Sequence, residues 1–415
     1  MLELLKDRTY RRYWLSVVIS FLGDAMTRVT LIFVADRLTD SPAVIAMVVF
    51  SQLLPTGVLG AFVGPLADRF PKRVLLVGSD VGRMVVVLAM IPFLDSIWTL
   101  MALIVLEGVG SAFFENARIA AVPTIVGTHR IPVAVALFQS TYQTVYLIGP
   151  ALGGLLIAVG SVPVVLMIDA ATFLVSALLL GSLTVLRERP DPGREHEPYW
   201  RSLRTGVRGV LAVGSLRFLF VVLIPVTLVF GLFTTNFNAQ LLTVFDLPAI
   251  EYGTTQAVFA GGSILGALLG PVLIRRSGSP GGLLVAAVVL FGLAMAALGP
   301  TQWLRPDLGL SVVVLWCVLT GLGASLYEVP VANTLLRDLP EDLRGRGVGL
   351  LQAVTVNFTL IGVAAGGLLG SAAGVADSII VAGLALVVIA VALIAPFARS
   401  GKNIRPLRQG QRGIE

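Results

Sequence analysis

The chain has 415 residues, of which 56% are apolar and 13% charged, with a formal net charge of +6. An ordinary soluble protein is about a quarter charged. This composition therefore cannot coat a soluble fold, and it excludes soluble enzymes, coiled coils, disordered chains and extracellular disulfide scaffolds. The single cysteine, Cys317, leaves no disulfide within the chain and no thiolate cage, and two histidines, His129 and His196, offer little for metal ligation. No metal site and no cofactor are expected.

Apolar stretches recur in chain order at 12–36, 43–65, 74–94, 97–121, 133–158, 162–185, 216–240, 252–273, 281–299, 310–335, 347–371 and 376–397. Each is long enough to cross about 30 Å of hydrocarbon as a helix. The expected fold is an all-α membrane protein with twelve transmembrane helices. The first stretch is too long for a signal peptide and lacks a small-residue cleavage site.

Lysine and arginine crowd one side of these spans. Lys6, Arg8, Arg11 and Arg12 precede the first, and Arg69, Lys72 and Arg73 follow the second. Others fall after the fourth, sixth, eighth and tenth spans and in the C-terminal tail. The opposite side holds Arg37 and Arg305, and Arg28, Arg83 and Arg118 lie within spans. Positive-inside bias then puts both termini in the cytoplasm of a multi-pass inner-membrane protein. It also accounts for the basic balance without nucleic acid.

Residues 1–186 and 215–415 form two expected six-helix units, joined by a linker at 187–214. Within the linker Tyr199, Trp200, Leu203, Val207 and Val210 repeat at helical spacing with Arg201, Arg204 and Arg208 between them. That pattern predicts an amphipathic helix on the inner membrane surface. The units repeat each other. At an offset of 206, Arg11 meets Arg217, Asp40 meets Asp246, and Gly64-Pro65 meets Gly270-Pro271. At 213, Glu115 meets Glu328, Gln139 meets Gln352, and Gly153-Gly154 meets Gly366-Gly367. Units with an even number of spans share one orientation, so this is a parallel repeat about an axis along the membrane normal, an architecture of secondary transporters.

The turn Gly64-Pro65-Leu66-Ala67-Asp68-Arg69-Phe70-Pro71-Lys72-Arg73 closely resembles the signature loop of the major facilitator superfamily, and Gly270–Arg276 is a weaker copy with Ile274 in place of Asp68. Gly149-Pro150-Ala151-Leu152-Gly153-Gly154 in the fifth span is similar to the motif of the superfamily's antiporters. The first unit most resembles the macrolide-efflux and enterobactin-exporter group of multidrug antiporters, through Gly64–Arg73 with Asp80 and Arg83, and Gly108–Phe114 leading to Pro123. Where many such exporters carry an arginine in the fourth span, this chain has Glu107. The resemblance implies an inner gate built from Asp68, Arg69, Arg73, Asp80, Arg83, Glu115 and Arg118.

A charge inside a span is costly and marks function by default. Ser16, Ser20, Asp24 and Arg28 share one face of the first helix. Asp24 is read either as a binder of protons or cationic substrate tuned by Arg28, or as half of a neutralised pair. Glu107 has no basic neighbour on its own helix, and Glu328, the repeat partner of Glu115, stands alone. Asp24, Glu107 and Glu328 are therefore the proton-coupling candidates. Asp169, two turns from the outer surface, is expected to be water-exposed or gating. Gln139, Tyr142, Gln143 and Tyr146 share a face of the fifth span, with Asn236, Asn238 and Gln240 in the seventh and Gln352, Thr355 and Thr359 in the eleventh. Such groups either line a cavity or bond between helices; a cavity role is expected for Gln139, Gln143 and Asn238, beside Asp24 and Arg28.

No G-x-x-x-x-G-K-[ST] loop is present, which argues against an ATP-driven pump. Gly23–Met26 is similar to a ferroportin motif, but Arg28 and the scarcity of histidine count against divalent metal export. The expected function is proton-coupled export of a lipophilic or cationic small amphipathic molecule by a monomer in the bilayer. Export of a siderophore or lipid is the alternative within the class. A non-transporting sensor is the alternative of another class; it should add a soluble output domain, and none is expected beyond the short tail and linker.

Overall fold

The computed structural model describes residues 2–39, 41–67, 70–127, 130–187, 208–277, 280–331, 334 and 344–392. Among them only helices and short connections occur. The helices are α1 (Arg8–Thr39), α2 (Pro42–Ala67), α3 (Lys72–Met90), α4 (Ile97–Val126), α5 (Ile131–Val159), α6 (Val162–Gly181), α7 (Gly214–Ala239), α8 (Ala249–Ser277), α9 (Pro280–Ala296), α10 (Leu298–Leu308), α11 (Leu310–Leu326), α12 (Arg344–Ala373) and α13 (Val375–Ala392). A helix falls on each apolar stretch marked above. Ten are by themselves long and apolar enough to cross a membrane, and the bent pair α9–α10 makes an eleventh if it counts as one span. Most of the linker helix expected at 199–210 lies outside the described residues.

Backbone chemistry sets the breaks. Gly374, at φ 95, is the single residue between α12 and α13; the left-handed region is open to glycine without steric cost. α9 and α10 meet at 46°. Pro300, near the start of α10, has no N–H to offer Ala296 and so interrupts the ladder there. Trp303–Asp307, between the two apolar stretches, is helical as part of α10. α7 runs on as a π-helix, Gln240–Val244, closed by Phe245 N–H donating to Gln240 O at 2.8 Å.

The packing repeats along the chain. α1 packs on α5 and α6, α2 on α4, and α3 on α4 and α6. In the second half α7 packs on α12 and α13, α8 on α11, and α9 on α11 and α13. Each pairing has its counterpart half a chain away. Across the halves α5 lies on α8 and α12 on α2, two contacts that exchange under the same correspondence. Aromatic side chains fill the second half, where Phe233 and Phe237 stack around Trp316 with ring centroids 6.2 and 5.4 Å away. Outward, Leu106, Leu178, Leu268, Leu368 and Val388 are exposed. Water would penalise such a surface; hydrocarbon does not.

Taking the end of the bundle where α1 begins as the near end, the halves touch closely at the far end. A Cβ at Gly154 of α5 would lie 2.4 Å from Ala249 O and 3.0 Å from Gly253 Cα of α8. In the counterpart contact, a Cβ at Gly367 of α12 would lie 2.3 Å from the Ala46 Cβ of α2. Only glycine permits either approach. Toward the near end Tyr142, Gln352 and Asn357 are exposed.

Candidate functional site

The centre of the first half is organised by Arg83. Its Nη1 donates to Asp24 Oδ2 of α1 at 3.1 Å, and its Nη2 donates to Asp80 Oδ1 at 2.5 Å and to Ser20 Oγ at 3.2 Å. The guanidinium lies over the rings of Phe114 and Phe173, 4.5 and 4.3 Å from their centroids. Its side chain is 1% exposed and that of Asp24 11%. Local sequence explains the placement. Asp80 and Arg83 are three apart and so share a face of α3. Gly110 of α4 leaves the room, since a Cβ there would lie 2.7 Å from Arg83 Cγ.

Two further carboxyls surround this pair. Asp169 of α6 is 1% exposed and accepts a hydrogen bond from Thr27 Oγ1 at 2.6 Å. It reaches α1 through a gap left by Gly23, where a Cβ would lie 2.2 Å from Asp169 Oδ1. Glu107 of α4 buries Oε1 without a hydrogen-bond partner among the described residues. The charges of Asp24, Arg83 and Arg28 all act on it, and Asp169 feels Asp24, Glu107 and Arg83 in turn. Among the described residues, Asp24, Asp80, Glu107 and Asp169 therefore lie within electrostatic reach of Arg83, and Glu107 also within reach of Arg28, at mid-helix depth.

Several expectations are corrected by this geometry. Asp24 forms its ion pair with Arg83 of another helix, whereas same-helix spacing pointed to Arg28. Asp80 and Arg83 pair at mid-helix, whereas Glu115 and Arg118, read with them as one gate, pair with each other nearer the end of α4. Asp169 is buried, not water-exposed, because Gly23 admits it. Asn238 is 4% exposed and held in a knot: its Oδ1 accepts from Tyr252 Oη at 2.6 Å and from Gln256 Nε2 at 2.5 Å. It stitches α7 to α8.

Tyr142 is exposed and meets Phe21 edge-on at 5.7 Å. Gln139, Gln143 and Tyr146 lie on α5, with side chains outside the described ones. Glu328 is exposed beyond the end of α11, in the same span, and its repeat partner Glu115 is half-buried on α4. Asp68 and Arg69 lie outside the described residues. Arg73 donates to Gly181 O at the end of α6, where the carbonyl end of the helix favours a cation. Arg118 stacks on Phe21 and Phe138 at 5.4 and 5.2 Å, and its carbonyl accepts from Tyr13 Oη at 2.7 Å. These links tie α1, α3, α4, α5 and α6 together at the near end. Among the described residues no group of three or more His, Cys, Asp and Glu side chains could hold a metal ion.

The burial of Asp169 has one sequence signal: a carboxylate and a small-residue gap on facing helices. The hub role of Arg83 had another, an Asp-x-x-Arg on one helix face opposite Asp24.

The chain is similar to known proteins over most of its length. The Major Facilitator Superfamily model matches residues 13–357. An enterobactin exporter, EntS, of Shigella boydii serotype 18 is 31% identical over 340 residues, covering 80% of this chain and 78% of the exporter. The MFS-type transporter YfiS of Bacillus subtilis is 27% identical, covering 90% and 89%. Macrolide efflux protein A of Streptococcus pyogenes is 23% identical, covering 91% and 93%. Among solved structures, a bacterial homologue of the iron transporter ferroportin in an inward-facing state superposes with a TM-score of 0.74 at 16% identity, covering 93% of this chain and 98% of that one. The nucleoside transporter NupG gives 0.72 at 14%, covering 94% and 98%. With its signature loop, its apolar spans and its repeated packing, the chain belongs to the major facilitator superfamily and is a membrane transporter, not an enzyme.

Proposed function

We propose that this chain is a proton-coupled exporter of lipophilic or cationic small molecules, acting as a monomer in the inner membrane with both termini in the cytoplasm. Twelve spans form two six-helix bundles, 1–186 and 215–415, joined by the linker 187–214. A pseudo-two-fold axis along the membrane normal relates them, and the counterpart pairings of α1–α6 with α7–α9 and α11–α13 support that reading. The near end is then the cytoplasmic face. The glycine contacts at the far end and the exposed Tyr142, Gln352 and Asn357 toward the near end support an inward-facing state.

One observation carries the coupling. Asp24, Asp80, Glu107 and Asp169 share Arg83 and Arg28, leaving carboxyls in excess of guanidiniums. Repulsion between like charges is severe away from water, so the excess must be relieved by a proton or by a cation from outside. A proton and a cationic substrate compete for the same carboxyls. Whichever is bound lowers the net charge of the centre and lets the halves close around it, and an empty, fully charged centre does not close. Exchange of one for the other across the membrane is antiport by alternating access. Relatives named for macrolide efflux and enterobactin export are consistent with outward transport; the 31% identity to the enterobactin exporter favours a siderophore as the alternative cargo.

Proton release on substrate binding tests this directly. Purified protein in weakly buffered detergent should acidify the medium when a lipophilic cation such as tetraphenylphosphonium is added, and Glu107→Gln should release markedly less. Binding without proton release in the wild type would reject the competition.

A further inference from the structure

A cavity of about 530 Å³ opens at the far end of the second half. Phe245 beyond α7, Glu251 of α8, Gln302 and Arg305 of α10 and Leu310 of α11 line it. The wall supplied by α10 has no counterpart in the first half. There residues 91–96 suffice to join α3 to α4, whereas Leu298–Leu308 stands between α9 and α11. The shared framework does not need this helix. Its outward side is apolar: Trp303 is 81% exposed, and Leu304 and Leu308 are exposed beside it. An amphipathic helix with an outward tryptophan sits at the boundary between hydrocarbon and headgroups. The cavity behind it therefore opens at headgroup depth.

Two opposite charges line this cavity without pairing across it. Neither Arg305 nor Glu251 has an ion-pair partner among the described residues. Arg305 is nevertheless held in place. Its guanidinium lies 4.5 Å from the centroid of the Phe245 ring, and its Nη2 donates to Phe245 O. Both contacts orient the charge and neither neutralises it. An anion alone in this cavity would be repelled by Glu251, and a cation alone by Arg305. A ligand carrying an anion and a cation together satisfies both.

We propose that the cavity binds the headgroup of phosphatidylethanolamine, with the phosphate on Arg305 and the ammonium on Glu251 and the Gln302 amide oxygen. A guanidinium fork matches phosphate oxygens. Glu251 and Gln302 accept only from an amine that keeps its N–H groups, which a primary ammonium has and a trimethylammonium lacks. The cavity volume falls within the range of small-molecule sites, about 300–1,000 Å³, and the acyl chains are left to run along Leu304 and Leu308. With the near end cytoplasmic, as proposed above, the lipid belongs to the outer leaflet. Binding itself rests neither on that orientation nor on proton coupling.

Native mass spectrometry of the full chain in detergent, offered lipids of matched acyl chains, reads this directly. Wild-type protein should retain phosphatidylethanolamine at least about tenfold better than phosphatidylcholine or phosphatidylglycerol. Its N-methyl and N,N-dimethyl forms should fall in between, in order of the N–H groups they keep. Glu251→Gln should lower the preference for phosphatidylethanolamine over phosphatidylglycerol about tenfold with little change in thermal unfolding. Arg305→Gln should weaken retention of all three lipids. Equal retention across the methylation series, or an unchanged preference in folded Glu251→Gln, would overturn the proposal. So would displacement of the lipid by an equal amount of free phosphoethanolamine, which would give the cavity to a soluble zwitterion. The methylation series uses wild-type protein and stands even if both variants misfold.

Discussion

Gly154→Ala should tip the balance between the two facing states. The added Cβ would sit 2.4 Å from Ala249 O and 3.0 Å from Gly253 Cα. Both are backbone atoms and neither can rotate away, so α5 and α8 must separate at the far end by about 1 Å to restore ordinary contact. Overpacking of this kind costs about 1–3 kcal/mol. The gain in helix propensity from glycine to alanine applies in both states and cancels. Strain confined to the far-sealed state therefore shifts the population ratio by roughly 5- to 150-fold toward the far-open state. The assay is a spin-label distance between Val159→Cys on α5 and Ile250→Cys on α8, both exposed positions, in a Cys317→Ser background. A longer-distance population should grow in Gly154→Ala and equally in Gly253→Ala, whose Cβ would lie 2.6 Å from Pro150 O. Gly214→Ala, with open space around it, should change nothing. An unchanged distance distribution in well-folded Gly154→Ala would refute the seam as a state-dependent contact.

Three further outcomes are expected. Arg83→Leu leaves Asp24 and Asp80 buried without their cation and should cost about 3–5 kcal/mol of stability, read as a fall in thermal midpoint; an unshifted midpoint would mean that the ion pairs hold nothing together. Tyr252→Phe removes the hydroxyl that donates to Asn238 and should cost about 1–2 kcal/mol while leaving transport intact, whereas a selective transport defect would return Asn238 to the cavity. Gly23→Ala pushes against the Asp169 carboxylate, a movable side-chain end, so the fold should survive with a modest loss of stability while turnover falls; normal turnover would separate Asp169 from the coupling cluster.

Much of the helical framework is legible in the chain because hydrocarbon imposes a single rule, twenty or so apolar residues with backbone groups satisfied internally. Gly64–Arg73 and the offset pairs such as Glu115 and Glu328 carry the family and the repeat. What stayed hidden depends on how each helix is rotated about its axis. Spacing on α1 makes Arg28 the obvious neighbour of Asp24, yet a residue on α3, distant in sequence, reaches it. Asp169 looks peripheral by its position in its span and becomes central through the missing Cβ of Gly23. The polar stripe containing Asn238 reads equally as cavity lining or as interhelical bonding, and only the placement of Tyr252 and Gln256 separates the two. The bend between α9 and α10 was readable from Gly299-Pro300, where an apolar run conceals a lost backbone hydrogen bond.

The central claim is that the carboxyls gathered around Arg83 couple substrate to protons. The direct measurement is uphill substrate accumulation in proteoliposomes under an imposed pH gradient of either sign, with wild-type, Asp24→Asn and Glu107→Gln proteins compared with downhill exchange in the same vesicles. Wild-type protein should accumulate substrate on the acidic side and reverse direction when the gradient is reversed. Glu107→Gln should lose accumulation and keep downhill exchange, and Asp24→Asn should lose affinity for cationic substrates more than for neutral ones. Accumulation that ignores the sign of the gradient, or that persists at the wild-type rate in Glu107→Gln and Asp24→Asn together, would contradict the account.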